Sequence, residues 1–168
     1  QARGYRPGVV TGEDLELVER RAEELTRELG AFRPDQFANA GNVAAHRETT
    51  GPEIWAQTGG RVDAWVASIG TGGTFIGVAG FLKEQTPGIR CIAAEPATAR
   101  KLAGCEVTST GHRLQGTGYN LVPPQWDPAL CDGYIGVSDD DAIETARLLG
   151  AREGICAGFS SGANVWAA

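Results

Sequence analysis

Two hydrophobic periods alternate along this chain. In TGEDLELVERRAEELTRELG, residues 11–30, the apolar positions Leu15, Ala22, Leu25 and Leu29 recur at steps of seven, three and four among charged residues. Such steps put them on one stripe of an α-helix. Thr11 is placed to cap that helix, with Asp14 in a capping-box-like position, and Gly30 is placed to stop it. AFRPDQFANAGN reads as a turn-rich connector. VAAHRETTGPEIWAQTGG reads as helical, interrupted or kinked near Gly51-Pro52. From residue 62 the pattern changes: VDAWVASI is a near-continuous apolar run, as a strand buried on both faces requires. A helix from Thr74 to Gln85 and a second such run, IRCIAAEP, complete a strand–helix–strand unit with short loops. That unit predicts a parallel sheet. Residues 97–133 read as irregular and GYIGVS as a short strand. SDDDAIETARLLGAREG is a helix with Ser138 as its cap and Asp141 closing the box. ICAGF reads as a further strand and SSGANVWAA as the start of another helix. The fold class is α/β.

A length of 168 residues and a hydrophobic content of 42% allow one large domain, or parts of two, with a core of its own. The net charge of −6, without any cluster of Arg and Lys, argues against nonspecific nucleic-acid binding. No run approaches the roughly 18 apolar residues of a membrane span, and the opening QARGYRPG has no apolar segment of a signal peptide. The expectation is a cytoplasmic protein with neither a membrane nor a nucleic-acid partner. None of the four cysteines forms a C-x-x-C motif. Cys91 and Cys156 lie in apolar, strand-like runs and are expected to be reduced and buried. His46 and His112 sit in no ligand-spaced motif, so no metal site is expected. The lack of methionine and the abrupt ending NVWAA fit an incomplete chain.

Candidate chemistry begins at SIGTGGTFIG, residues 68–77. The stretch Gly70 to Thr74 follows an expected strand and opens an expected helix. The first N–H groups of a helix lack intrahelical partners, and its N-terminus carries roughly +0.5 of an elementary charge. Glycines let a ligand approach that backbone, and Thr71 and Thr74 add hydroxyls, so the stretch is a candidate phosphate cradle. Read without chemistry, the same glycines make a tight turn with room for packing. A Walker loop would need Gly-Lys-Ser/Thr, and no lysine is present. The fingerprint G-x-G-x-x-G fails at Phe75, although Glu95 at the end of the next strand could act as a ribose-binding acid. Nicotinamide binding therefore stays open. A second turn, GFSSGAN, also opens a helix. Ser160 or Ser161 there either faces the same crevice or merely caps the helix.

Several motifs, in order, resemble the cysteine synthase (O-acetylserine sulfhydrylase) and cystathionine β-synthase family of pyridoxal-phosphate enzymes. They are DQFANAGN, TTGPEIWAQTGGRVDAWVASIGTGGTFIGV, AAEP, HRLQGTGYNLVP, VSDDDAIETAR and EGICAGFSSGANV. Ala40-Gly41 departs from the Pro-Ala usual there, and GYN after Gly116-Thr117 departs from the alanine and aromatic of many synthases. The resemblance implies the parallel-sheet fold type II of pyridoxal-phosphate enzymes, tryptophan synthase β-like and here incomplete. It implies that Gly70, Thr71, Gly72, Gly73 and Thr74 hold the cofactor phosphate and that Ser160 bonds the pyridine nitrogen. A hydroxyl partner leaves that nitrogen unprotonated, a milder electron sink that suits elimination at the β-carbon. Gln36 is implied to line the substrate site. Gly116 is implied to border the cofactor's edge and the substrate, with Gly118 as a second candidate. Gln115 beside them can equally be a solvated loop residue.

The family's Schiff-base lysine segment, Ser-x-x-x-Lys-Asp-Arg-like, and its substrate-carboxylate loop, Thr-Ser-Gly-Asn-Thr-like, do not occur here. The only lysines, Lys83 and Lys101, read as solvated, whereas a covalent anchor should be a desolvated lysine in the cleft. By resemblance, residues 1–40 are the remnant of a smaller N-terminal domain. Residues 41–168 are the larger cofactor-binding domain, incomplete at its C-terminus. The full-length enzyme is expected to be a homodimer carrying out β-replacement on an activated serine, with sulfide or a thiol as nucleophile. A cystathionine β-synthase-like condensation of serine with a thiol, or a noncatalytic relative, are the alternatives. The present chain is expected to be inactive alone.

Overall fold

The structure is a computed structural model that describes residues 12–168. Helix α1 spans Gly12–Leu29, with Glu13 and Asp14 in its first turn and Arg27 in its last, matching the helix dipole. The expected cap, Thr11, lies outside the described residues. Gly30 follows at a φ of 59°, the left-handed backbone at which helices end. Of the expected stripe, Leu15 and Ala22 are half-buried while Leu25 and Leu29 are exposed. Arg33 in the connector returns to α1 through an ion pair with Glu19.

Helix α2 (Ala40–Ala45) starts at Asn39, whose side chain accepts from the N–H of Gly41. It runs through one widened, π-type turn, His46–Thr50, into α3 (Gly51–Gln57). The interruption expected near Gly51-Pro52 is therefore a widened turn rather than a break. Pro52 has no N–H for an interior helical bond, and its ring crowds the carbonyl four residues back. Gly51 is where α3 meets the next helix: a Cβ there would lie 2.9 Å from Phe81 Cβ.

The sheet is parallel, as expected, and consists of β1 (Ala64–Ser68), β2 (Arg90–Pro96) and β3 (Gly133–Val137) in that spatial order. Ala67 lies opposite Ala93, and Ile92 opposite Gly133. Helix α4 (Gly73–Gln85) crosses over between β1 and β2. Its Phe75, Val78, Ala79 and Leu82 form one core with Ile89, Cys91 and Ala93. On the opposite face, α5 (Asp139–Leu148) and α6 (Phe159–Ala167) cover a second core of Ala94, Leu114, Val137, Ala142 and Ala163. Ser138 caps α5 as expected, accepting from the N–H of Asp141; the Asp141 carboxylate accepts from the Ser138 hydroxyl rather than from its backbone N–H, so the cap forms without the reciprocal bond of a box. Residues 97–132 are irregular apart from one short 3₁₀ turn, Pro128–Leu130.

One expected strand does not form. ICAGF forms no ladder, with Ile155 53% exposed, and Phe159 already belongs to α6. A strand is held by a hydrogen-bonded neighbour, and no described strand edge is ladder-bonded to this segment. Cys156 is consequently exposed, not buried as expected, whereas Cys91 is buried; all four thiols are free. Among the described residues, no helix is long and apolar enough to cross a membrane.

Candidate functional site

The turn between β1 and α4 sits at the carboxyl end of the sheet, where crossover folds leave a crevice. Gly72 takes a φ of 89° and accepts the first helical bond, from Ile76 N–H at 2.9 Å. The N–H groups of Thr71, Gly72 and Thr74 find no hydrogen-bond partner among the described residues. Its glycines serve different ends. A Cβ on Gly70 would lie 2.7 Å from the carbonyl oxygen of Gly116, and one on Gly73 would lie 2.0 Å from Asn42 Oδ1. These two glycines make room for packing. A Cβ on Gly72 would meet Pro123 and the backbone of Trp126 at 3.9 Å, ordinary contact, so it is the left-handed backbone that asks for glycine there.

The threonines are held from the helical side. Thr71 Oγ1 accepts from Asn42 Nδ2 at 2.9 Å and from Gly73 N–H at 3.3 Å. Thr74 Oγ1 bonds His46 Nε2 at 3.0 Å, and His46 Nδ1 bonds Thr50 Oγ1 at 2.9 Å. His46 and Thr50 belong to the widened turn, which therefore aims a side chain at the glycine turn.

Two more loops converge here. Gly116, at a φ of 94°, donates its N–H to Tyr119 Oη at 2.9 Å and presses its carbonyl against Gly70. Gly118, at a φ of 65°, lies where a Cβ would be 2.6 Å from His112 Nε2. Ser160 stands in the first turn of α6 and donates to the carbonyl of Gln115 at 3.4 Å. The capping position itself belongs to Gly158, so Ser160 is not the helix cap, and Ser161 is exposed. Gln115 is exposed, and its side chain donates to the carbonyl of His112. Gln36 is exposed as well; its backbone carbonyl accepts from Asn42 Nδ2 and from Gln125 Nε2, each at 2.7 Å. The structure thus brings together residues 70–74, Gly116, Gly118 and Ser160, and ties Gln36 to them through Asn42.

Lys101 is exposed as expected, whereas Lys83 is not solvated: its side chain is 19% exposed and ion-paired. Lys83 donates to Asp132 Oδ2 at 2.6 Å and to the carbonyl of Ile89 at 3.2 Å. It is ten residues beyond Gly73 on α4, about 15 Å along the helix axis. Lys101 is exposed, although it borders a small cavity with Gly70, Gly118 and Tyr119. Glu95 is buried, and both its oxygens accept from backbone N–H groups, of Leu102 at 2.8 Å and Ala103 at 3.1 Å. Burial pushes its carboxyl up from the usual range, against the pull of those N–H groups and Arg100. The acid weighed as a ribose partner is therefore committed to the turn it closes, a correction to that reading. Asn42 and His46 were not singled out from sequence. The available signal was their place in the motif DQFANAGN and in the helix that follows.

Three unpartnered N–H groups and two hydroxyls at a helix start form a donor-rich, acceptor-poor surface suited to a small anion such as a phosphate. Residues 8–168 match the family of pyridoxal-phosphate dependent enzymes, and the chain belongs to that family. The chain is 42% identical over 150 residues to a cysteine synthase of Staphylococcus aureus, covering 89% of this chain and 48% of that protein. Among solved structures it is similar to cysteine synthase from Entamoeba histolytica, with a TM-score of 0.80 and 38% identity over 88% of this chain and 43% of the other. It is also similar to an O-acetylserine dependent cystathionine beta-synthase from Helicobacter pylori, with a TM-score of 0.85 and 36% identity over 93% of this chain and 50% of the other. The chain spans about half the length of the relatives it matches. The residues of the turn fit a cofactor phosphate: the N–H groups of Thr71, Gly72 and Thr74 lack partners among the described residues at the start of a helix.

Proposed function

We propose that the chain binds pyridoxal 5′-phosphate and belongs to a cysteine synthase-like enzyme that replaces the β-substituent of an activated serine with sulfide. The observation that carries this reading is the turn Gly70–Thr74, rich in donors without partners among the described residues, with the Gly116 carbonyl packed on Gly70 and Ser160 bonded to the neighbouring Gln115 carbonyl. The N–H groups of Thr71, Gly72 and Thr74 and the two threonine hydroxyls would hold the phosphate. Gly73 supports that cradle by admitting Asn42. The Ser160 hydroxyl would bond the ring nitrogen, and Gln36 and Gly116 would border the substrate. When bound, the cofactor supplies the electron sink, while the protein supplies anchoring and orientation. A second reading, condensation of the serine carbon with a larger thiol, is supported by the similarity to the Helicobacter pylori enzyme.

The same reading treats residues 1–40 as part of a smaller domain and 41–168 as the cofactor-binding domain. It assigns the full-length enzyme to the cytoplasm as a homodimer; these points rest on the family resemblance. It also holds that the chain alone has no turnover. Lys83 is engaged by Asp132 far from the turn and Lys101 is exposed, so neither is the desolvated lysine that a covalent anchor requires.

Tryptophan emission tests the cofactor. The backbone nitrogen of Trp126 is 3.9 Å from where a Gly72 Cβ would lie, and its ring is 5.3 Å from that of Phe75 between centroids, tilted by 40°. Titration with pyridoxal 5′-phosphate is expected to quench this emission saturably, with inorganic phosphate competing. Saturable quenching by NADH alone, or by neither compound, would overturn the reading.

A further inference from the structure

We propose that Asn42 is a positioning residue that makes the Thr71 hydroxyl a dedicated donor to the bound phosphate. The inference rests on the reading of the turn as a phosphate cradle. A threonine hydroxyl has one proton and two acceptor lone pairs. In this structure Thr71 Oγ1 accepts from Asn42 Nδ2 at 2.9 Å and from Gly73 N–H at 3.3 Å. Both acceptor sites are therefore used from the helical side. The remaining proton has no acceptor among the described residues, beside N–H groups that also lack one. An anion beside Thr71 would meet its hydroxyl proton and the unpartnered N–H groups of Thr71 and Gly72.

The orientation of the Asn42 amide follows from its surroundings. Its nitrogen carries two N–H bonds and faces two oxygens, the carbonyl of Gln36 at 2.7 Å and Thr71 Oγ1. The flipped amide would set its oxygen against the Gln36 carbonyl, which can only accept, and leave its N–H groups unused. Its oxygen instead occupies the space beside Gly73, 2.0 Å from a Cβ position there. Gly73 is thus required by Asn42, and Asn42 sets the polarity of Thr71. The same side chain holds Gln36, so one amide ties the connector to the cradle.

The test compares dissociation constants for pyridoxal 5′-phosphate and for pyridoxal, which differ by the phosphate alone, in the whole chain. The readout is the phosphate preference, the dissociation constant for pyridoxal divided by that for pyridoxal 5′-phosphate. Asn42→Ala is expected to lower that ratio by about tenfold to a hundredfold, the worth of one hydrogen bond to a charged group. Pyridoxal affinity should be unchanged, whereas a merely structural role would weaken both ligands equally. Asn42→Asp keeps the shape but can accept the Thr71 proton, and it should lose the preference as well. This variant serves if Asn42→Ala does not fold. In a Thr71→Val background, Asn42→Ala should change the ratio by no more than about twofold, because the hydroxyl through which it acts is gone. Undiminished preference in both Asn42 variants, or equal losses with and without Thr71, would overturn the inference and leave the cofactor reading intact. A wild-type chain with no preference for the phosphorylated form would overturn the cofactor reading itself.

Discussion

Lys83 and Asp132 close the end of the molecule away from the glycine turn. Asp132 Oδ2 accepts from Lys83 Nζ at 2.6 Å and from Cys91 N–H at 2.7 Å, while Asp132 N–H donates to the Cys91 carbonyl at 2.7 Å. The Lys83 bond, foremost, and then the Cys91 N–H hold the Asp132 carboxyl below its usual value of 3.8. A carboxyl that ionises more readily folded than unfolded stabilises the fold above the unfolded value. That contribution disappears as pH falls through the folded one. The wild-type chain should therefore lose stability below about pH 4 more steeply than Asp132→Asn. Urea midpoints measured from pH 5 downward, in steps of about half a unit, would show it; parallel acid limbs would remove Asp132 from the account. The pair is partly solvated, so the effect belongs to the modest class of surface ion pairs. Next to it, burial pushes the Cys91 thiol up to about 11, which keeps it a neutral core side chain.

Helices in this fold approach one another through glycine. A Cβ on Gly77 of α4 would come 2.5 Å from the carbonyl oxygen of Val43, where α4 crosses α2. A Cβ on Gly162 of α6 would come 2.1 Å from the carbonyl oxygen of Ala142 and 2.7 Å from the nitrogen of Ala146 on α5. The atoms met are backbone, which cannot rotate away. Gly162→Ala is expected to destabilise the chain by about 1–3 kcal/mol, the range of overpacked sites, despite the higher helix propensity of alanine. A urea midpoint equal to or above that of the wild type would show that α5 and α6 can separate without loss. That SSGANVWAA starts a helix was legible in the sequence, but the partner helix that makes Gly162 necessary was not.

Across the whole molecule, stability should be uneven. β2 is paired on both sides, and five of its residues, Cys91, Ile92, Ala93, Ala94 and Pro96, are apolar and buried. Among the described residues, the 155–158 segment has one backbone N–H bond, from Ile155 to Leu149. Amide exchange should be slowest in β2 and in α4, and fast at Cys156, Ala157 and Gly158. Strong protection of the latter three in the isolated chain would mean that the segment is paired after all. The same contrast separates what was readable in advance from what was not. The strand–helix–strand unit, its parallel pairing and the glycine turn were legible because period and turn residues are local properties. They specify which backbone N–H groups a short stretch leaves without partners. ICAGF was misread because an apolar run becomes a strand only beside another strand, and adjacency is not written locally. Likewise the sequence alone determined that Gly70 to Thr74 form a donor-rich turn at a helix start. Tertiary contact alone decided that Gly70 and Gly73 yield their space to Gly116 and Asn42, and that Glu95 is occupied by its own turn. A side chain's partner is set by which distant segment the packed core brings within hydrogen-bond reach.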